Sequence, residues 1–160
     1  MPEPMRVLFV CTGNTCRSPI AEALAHRFAS ERNLSEISVG SAGTAAWDGA
    51  PASDGALLVA MERSVDLSAH RARLLTREIV SGSDLILAMG PHHVERIEAL
   101  GGIGRTHLLS SYASRGRSDR SITDPFGGDL DDYRAAFDEL DREVQQAIER
   151  IATERTPGRS

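Results

Sequence analysis

Short apolar runs of strand length alternate with runs of helical period, and the alternation recurs four times along the chain. Strands separated by helical crossovers lie parallel, and a parallel sheet needs helices on both faces. The expected fold class is α/β: a three-layer sandwich around a four-stranded parallel sheet, in a single domain spanning residues 1–160. A chain of 160 residues can bury a core of its own without disulfides or metals. No stretch approaches the roughly 20 apolar residues of a membrane span.

The first unit carries the chemistry. Residues 5–10, containing Arg6-Val7-Leu8-Phe9-Val10, read as a strand, and a helix opens at Ser18-Pro19 with Ile20, Leu24 and Phe28 on one stripe. Ser18 suits the N-cap and Pro19 the first helical position. Between them lies Cys11-Thr12-Gly13-Asn14-Thr15-Cys16-Arg17-Ser18, with the spacing Cys-x5-Arg-Ser. The N–H groups of Thr12 to Arg17 can curl around one tetrahedral oxyanion above the unsatisfied N–H groups of the helix start. Gly13 and Asn14 are the residue types that most readily take positive φ in such a curl. Arg17 can grip two phosphate oxygens in a fork, and Cys11 at the floor becomes a nucleophile because the same positive field favours thiolate. The ordinary alternative is a turn with Cys11 as a small buried residue, Arg17 on the surface and Ser18 as a cap.

Further along, residues 36–41 alternate as a strand that Ser41-Ala42-Gly43 ends, and Trp47 follows in a Gly/Ala/Pro loop, as a cleft wall or a cover over the core edge. A helix from Ser53 to Arg63 places Leu57 and Met61 inward. His70 lies in the polar link 64–73 and reads as a loop-fixing residue. A short helix over 76–80 precedes a central strand, 84–89. Pro91 opens a helix with Val94, Ile97 and Leu100 on one side, and the adjacent His92 and His93 read as solvated, since neighbours cannot share a helix face as metal ligands do. Gly101-Gly102-Ile103-Gly104 follows a helix and precedes a strand, the wrong order for a nucleotide fingerprint, so it reads as a helix stop. A strand over 105–109 leads into a long polar loop, 110–129, where Arg115, Arg117 and Arg120 outnumber Asp119, either drawing in phosphorylated substrate or simply solvated. The loop ends in Asp124-Pro125-Phe126-Gly127-Gly128. The last helix, 131–153, puts Tyr133, Phe137, Leu140, Val144, Ile148 and Ile151 on one stripe. The tail after Pro157 is expected to fray.

Charge and cysteine content narrow the function classes. A net charge of −5 repels nucleic acid, so affinity for phosphate has to be local. The first five residues are too few and too polar for a signal peptide, and two cysteines five apart suit a reducing compartment, so a cytoplasmic location is expected. All 18 basic residues are arginine, which has no functional account.

The Cys11-x5-Arg17-Ser18 string, followed by Asp124-Pro125 far downstream, resembles the low-molecular-weight protein phosphatases. The resemblance runs from Val7 to about Ile151 and includes Ser41-Ala42-Gly43, His70-Arg71 and Asp84 to Met89. It implies a phosphate loop after the first strand, with Cys11 as nucleophile, Arg17 as phosphate ligand and Asp124 as general acid. Thr12, Gly13, Asn14, Thr15, Cys16 and Ser18 would form the rest of the loop, Ser41 would brace Asn14, and Trp47 and Phe126 would flank the substrate. The implied enzyme is a monomer needing no metal or other cofactor, acting on phosphorylated proteins and releasing inorganic phosphate, with no nucleic-acid or membrane partner. Thr15 matches the phosphoarginine-specific branch, whereas phosphotyrosine-specific members carry a bulky aliphatic residue there; phosphoarginine is favoured and phosphotyrosine is the alternative. Arsenate reduction needs relay cysteines beyond Cys16, and a non-catalytic phosphate-binding module has no need of Asp124. Cys16 either closes a reversible disulfide with Cys11 under oxidation or packs the loop.

Overall fold

The computed structural model describes residues 4–155. Its first strand, Met5–Cys11 (β1), is apolar on both faces: Val7, Phe9 and Cys11 enter one core cluster, Leu8 and Val10 the other. β1 pairs in parallel with Ile37–Gly43 (β2) on one side and with Leu85–Ala88 (β3) on the other. Thr106–Leu108 (β4) extends the sheet beyond β3, giving the order β2-β1-β3-β4. Since β1 has its successor on one side and the third strand on the other, the crevice of this sheet opens at the C-terminal end of β1. Residues 12–16 occupy that point.

Among the described residues six α-helices cover the sheet: Arg17–Glu31 (α1), Asp54–Glu62 (α2), Arg77–Ser81 (α3), Pro91–Ile97 (α4), Leu109–Ala113 (α5) and Leu130–Arg155 (α6). On one face Ile20, Leu24 and Phe28 of α1 and Phe137, Leu140 and Ile148 of α6 meet Phe9 and Leu87. On the other, Val80 of α3 and Ile97 of α4 close over Leu8, Val10 and Ile86. The expected α/β architecture is the observed one. Among the described residues no helix is long and apolar enough to cross a membrane.

Several local expectations are corrected. β2 does not end at Ser41 but runs through Gly43, which pairs with Cys11, so the strand reaches the loop. α1 starts at Arg17; Ser18 is fully buried inside its first turn, and its hydroxyl serves neighbouring side chains instead of capping. In α2, Ser53 caps the helix, but the buried side is Ala56, Val59 and Ala60, while Met61 is exposed. Small residues there let α2 sit close to α6: a Cβ on Gly55 would fall 2.5 Å from Tyr133. The helical stretch after α4 widens over 98–102 and stops at Gly101, whose φ of 104° suits glycine. The expected loop 110–129 opens with α5, too short for a periodic signal, and Ile122 is buried with its N–H donated to the Met89 carbonyl. Arg120 pairs with Glu139 and Glu143 of α6, and Arg115 lies near Glu154, so α6 takes up most of that loop's positive charge. The residues after Pro157 lie outside those described.

Candidate active site

Asn14 is the anchor of the loop. It is fully buried at φ 55°, the one positive φ between Cys11 and Ser18; Gly13, expected to share that conformation, does not. Its amide oxygen accepts from the Arg73 N–H at 3.0 Å, which assigns the amide nitrogen as the double donor, to Ser18 Oγ at 2.8 Å and Ser41 Oγ at 2.9 Å. Ser41 in turn donates to Glu22 Oε1 at 2.5 Å, and the Asn14 carbonyl accepts from His70 Nε2 at 2.7 Å. Loop, β2, α1 and the 64–73 link are thereby tied through one side chain, with Ser41 and His70 in the expected supporting places.

The order of donors reaches the sulfur. Ser18 Oγ already accepts from Asn14, so its own hydrogen is free for Cys11 Sγ, 2.9 Å away. A hydrogen bond donated to sulfur stabilises thiolate and makes it a better leaving group. Cys11 and Arg17 are buried, and Arg17 donates from Nη1 to the Ile122 carbonyl at 3.0 Å while Nη2 lies 3.6 Å from Asp124 Oδ2. One guanidinium thus links the thiol-bearing loop to the segment carrying the carboxylate, across more than a hundred residues. Asp124 is half exposed, its other oxygen accepting from the Phe126 N–H at 3.1 Å.

Cys11, Thr12, Gly13, Thr15, Cys16, Arg17, Asp124 and Phe126 line a cavity of about 180 Å³. That is below the roughly 300–1,000 Å³ of pockets for drug-sized ligands, and suits a phosphoryl group with the first atoms of its leaving group. A larger groove, about 370 Å³, lies around Arg6 and Arg73 and is lined by no cysteine. Trp47 does not line the cavity: it is 84% exposed and covers neither cleft nor core. Asn14, Ser18 and Ser41 also stand behind the cavity instead of lining it. Cys16 Sγ lies 3.1 Å from Ser53 Oγ and 3.7 Å from the Tyr133 hydroxyl, whose pKa is pushed up, first by burial; both cysteines are free thiols.

Glu22 and Arg73 escaped the sequence reading, and so did two further participants. His93, read as solvated, is fully buried, and its Nε2 lies 2.8 Å from Thr12 Oγ1. Burial, then His92 and Arg17, lowers its pKa to about 4, so the imidazole is neutral at physiological pH. Its four-residue spacing from buried Ile97 was the available signal. Gly43 is the other: a Cβ there would land on the Thr12 carbonyl oxygen and come within 2.9 Å of the Asn14 nitrogen.

A thiol, a guanidinium and a carboxylate converging on an oxyanion-sized cavity at the switch point of a parallel sheet define a class that the chain's relatives name. The chain belongs to the low molecular weight phosphotyrosine protein phosphatase family, whose model matches residues 6–156, and it is accordingly an enzyme, a protein phosphatase. It is 39% identical over 155 residues to a protein-arginine-phosphatase of Geobacillus stearothermophilus, covering 94% of this chain and 99% of the relative. To the low molecular weight protein-tyrosine-phosphatase PtpB of Staphylococcus haemolyticus it is 38% identical, over 85% of this chain and 92% of that protein. Among solved structures, the YwlE arginine phosphatase with its active-site cysteine replaced by a phosphorylated serine superposes with a TM-score of 0.87 at 35% identity, covering 94% of this chain and 98% of that one.

Proposed function

We propose that this enzyme hydrolyses phosphorylated protein side chains through a cysteinyl-phosphate, with phosphoarginine as the favoured substrate. The observation that carries the reaction is the donor chain from Asn14 through Ser18 to Cys11, beneath a cavity in which Arg17 approaches Asp124. In the first step Cys11 Sγ attacks phosphorus: the S–P bond forms as the bond to the leaving nitrogen or oxygen breaks. Arg17 and the loop N–H groups hold the three equatorial oxygens, and Asp124 gives the leaving atom its proton. In the second step Asp124 takes a proton from water, the water oxygen bonds phosphorus, and the S–P bond breaks with Ser18 stabilising the departing thiolate. Inorganic phosphate leaves. Arg17 and the loop supply the positive charge, so no metal enters the scheme. The phosphorylated serine of the YwlE variant supports a covalent route. Cys11→Ser is expected to abolish turnover of an aryl phosphate; full activity in that variant would remove the mechanism.

Thr15 carries the choice of substrate. It lines the cavity, where it offers a smaller and more polar wall than an aliphatic residue, and the Asp124 carboxylate complements a guanidinium as it does not a phenol. The arginine phosphatase relative supports the same reading. Phosphotyrosine is the second reading, favoured by Phe126, which is 74% exposed yet lines the cavity and offers a flat ring beside it. Turnover of phosphoarginine and phosphotyrosine peptides, measured side by side, tests the preference. Thr15→Ile should move the ratio of kcat/KM values toward phosphotyrosine by about tenfold or more, the scale of a change in pocket shape; an unchanged ratio discards the role of Thr15. The reading takes the protein as a single-domain cytoplasmic monomer, in keeping with its net charge of −5 and its two free thiols.

A further inference from the structure

The contact between α4 and the first residue of the loop has no part in the scheme above. His93 is fully buried, and its only side-chain hydrogen bond among the described residues joins Nε2 to Thr12 Oγ1 at 2.8 Å; Nδ1 is buried with no partner. A neutral imidazole carries one N–H, and its place can be argued from this geometry. On Nδ1 the hydrogen would be a buried donor with nothing to accept it. On Nε2 it is satisfied by Thr12, leaving only a bare lone pair at Nδ1, and orphaned buried N–H groups are rarer than under-satisfied acceptors. Nε2–H therefore donates and Thr12 Oγ1 accepts.

The direction of that bond has a consequence at the cavity. A hydroxyl that accepts from His93 keeps its own hydrogen, and the Thr12 side chain makes no other hydrogen bond among the described residues. Thr12 lines the cavity with Cys11 and Arg17. We infer that Thr12 is a phosphoryl-binding residue whose hydroxyl donates to a phosphoryl oxygen, and that His93 is the positioning residue that holds this hydroxyl as a donor. The inference rests on the proposed phosphatase reaction and adds a side-chain donor to the backbone N–H groups of the loop. Threonine at position 12 then differs in kind from an apolar residue, because the latter supplies backbone alone.

The test uses the intact protein with two readouts: kcat and KM on an aryl phosphate, and the affinity for inorganic phosphate by calorimetry. Thr12→Val, which keeps the shape and removes the hydroxyl, should lower kcat/KM by about tenfold, less than the 10²–10³ of a full oxyanion donor because the phosphoryl group is charged before the reaction begins. It should weaken phosphate binding as well, and Thr12→Ser should restore both to within about threefold. His93→Phe keeps the ring but loses the donor. It should reproduce part of the Thr12→Val loss, and combining the two should be no worse than Thr12→Val alone, since they remove one interaction. Wild-type kcat/KM and phosphate affinity in Thr12→Val would overturn the inference, as would losses that multiply in the double variant. If His93→Phe does not fold, the Thr12→Val and Thr12→Ser pair still decides. Wild-type protein that binds phosphate but turns over no phosphoester would overturn the reaction and not this assignment, which the phosphate affinities of the variants then judge.

Discussion

Asn14 has every polar group of its side chain engaged, and the direction of each bond is set by the Arg73 N–H at its oxygen. Replacing it by aspartate keeps the shape and reverses that direction. The carboxylate would take the Ser18 proton for itself and turn it away from Cys11. Asn14→Asp should therefore cost the sulfur a hydrogen bond worth about 2 kcal/mol, a loss near thirtyfold in kcat. Alkylation of Cys11 by iodoacetamide at neutral pH should slow in step, and unchanged alkylation would contradict the assigned direction. Residues of this kind divide sharply in how far a sequence discloses them. Cys11, Arg17 and Ser18 stand in one contiguous string whose chemistry can be read directly, and Asp124 is marked by its proline. Glu22, Arg73 and His93 act through partners 19, 59 and 81 residues away, pairings that arise only from strand order and packing.

Among the elements, β2 meets the loop more closely than its sequence discloses. Gly43 pairs with Cys11, the Gly43 N–H donates to the Arg73 carbonyl at 3.0 Å, and the next N–H, of Thr44, reaches the Cys11 carbonyl at 3.0 Å. A Cβ at Gly43 would meet the Thr12 and Asn14 backbone and the Ala46 Cβ, none of which can swing aside as the tip of a long side chain can. Gly43→Ala should thus push the loop outward, destabilising the fold by about 1–3 kcal/mol as overpacking does and weakening phosphate binding more than a simple loss of stability explains. Thermal unfolding and phosphate calorimetry on the same preparation separate the two effects. Long elements with a clear period, α6 above all, were legible to within a residue or two at their ends. α5 was not, having fewer than two turns, and the inward side of α2 was misjudged at Met61 because alanines, not large residues, make its contact with α6.

At the scale of the molecule, two histidines, His93 buried on α4 and His107 exposed on β4, couple folding to pH. Burial lowers the pKa of His93 to about 4, and partial desolvation also lowers that of His107, whereas both titrate near 6.5 in an unfolded chain. Between those values the unfolded chain binds protons that the native one does not. The stability contributed by keeping these rings neutral is complete above about pH 6.5 and falls as pH drops toward 4. Unfolding midpoints measured from pH 8 to 4.5 should decline across that interval, His93 contributing on the order of 2 kcal/mol after allowance for solvent screening. His93→Gln should flatten the decline, leaving the share owed to His107; Glu62, whose pKa the Arg134 hydrogen bond lowers, adds its own loss only below about pH 4.5.

The Arg17 guanidinium, with one nitrogen on the Ile122 carbonyl and the other toward Asp124, also sets a rivalry. An arriving dianion and the resident carboxylate want the same cation. As the newcomer takes hold of Arg17, the carboxyl group is released from that contact and left free to turn toward the leaving atom. Capture of the substrate and release of the proposed acid are on this geometry a single event.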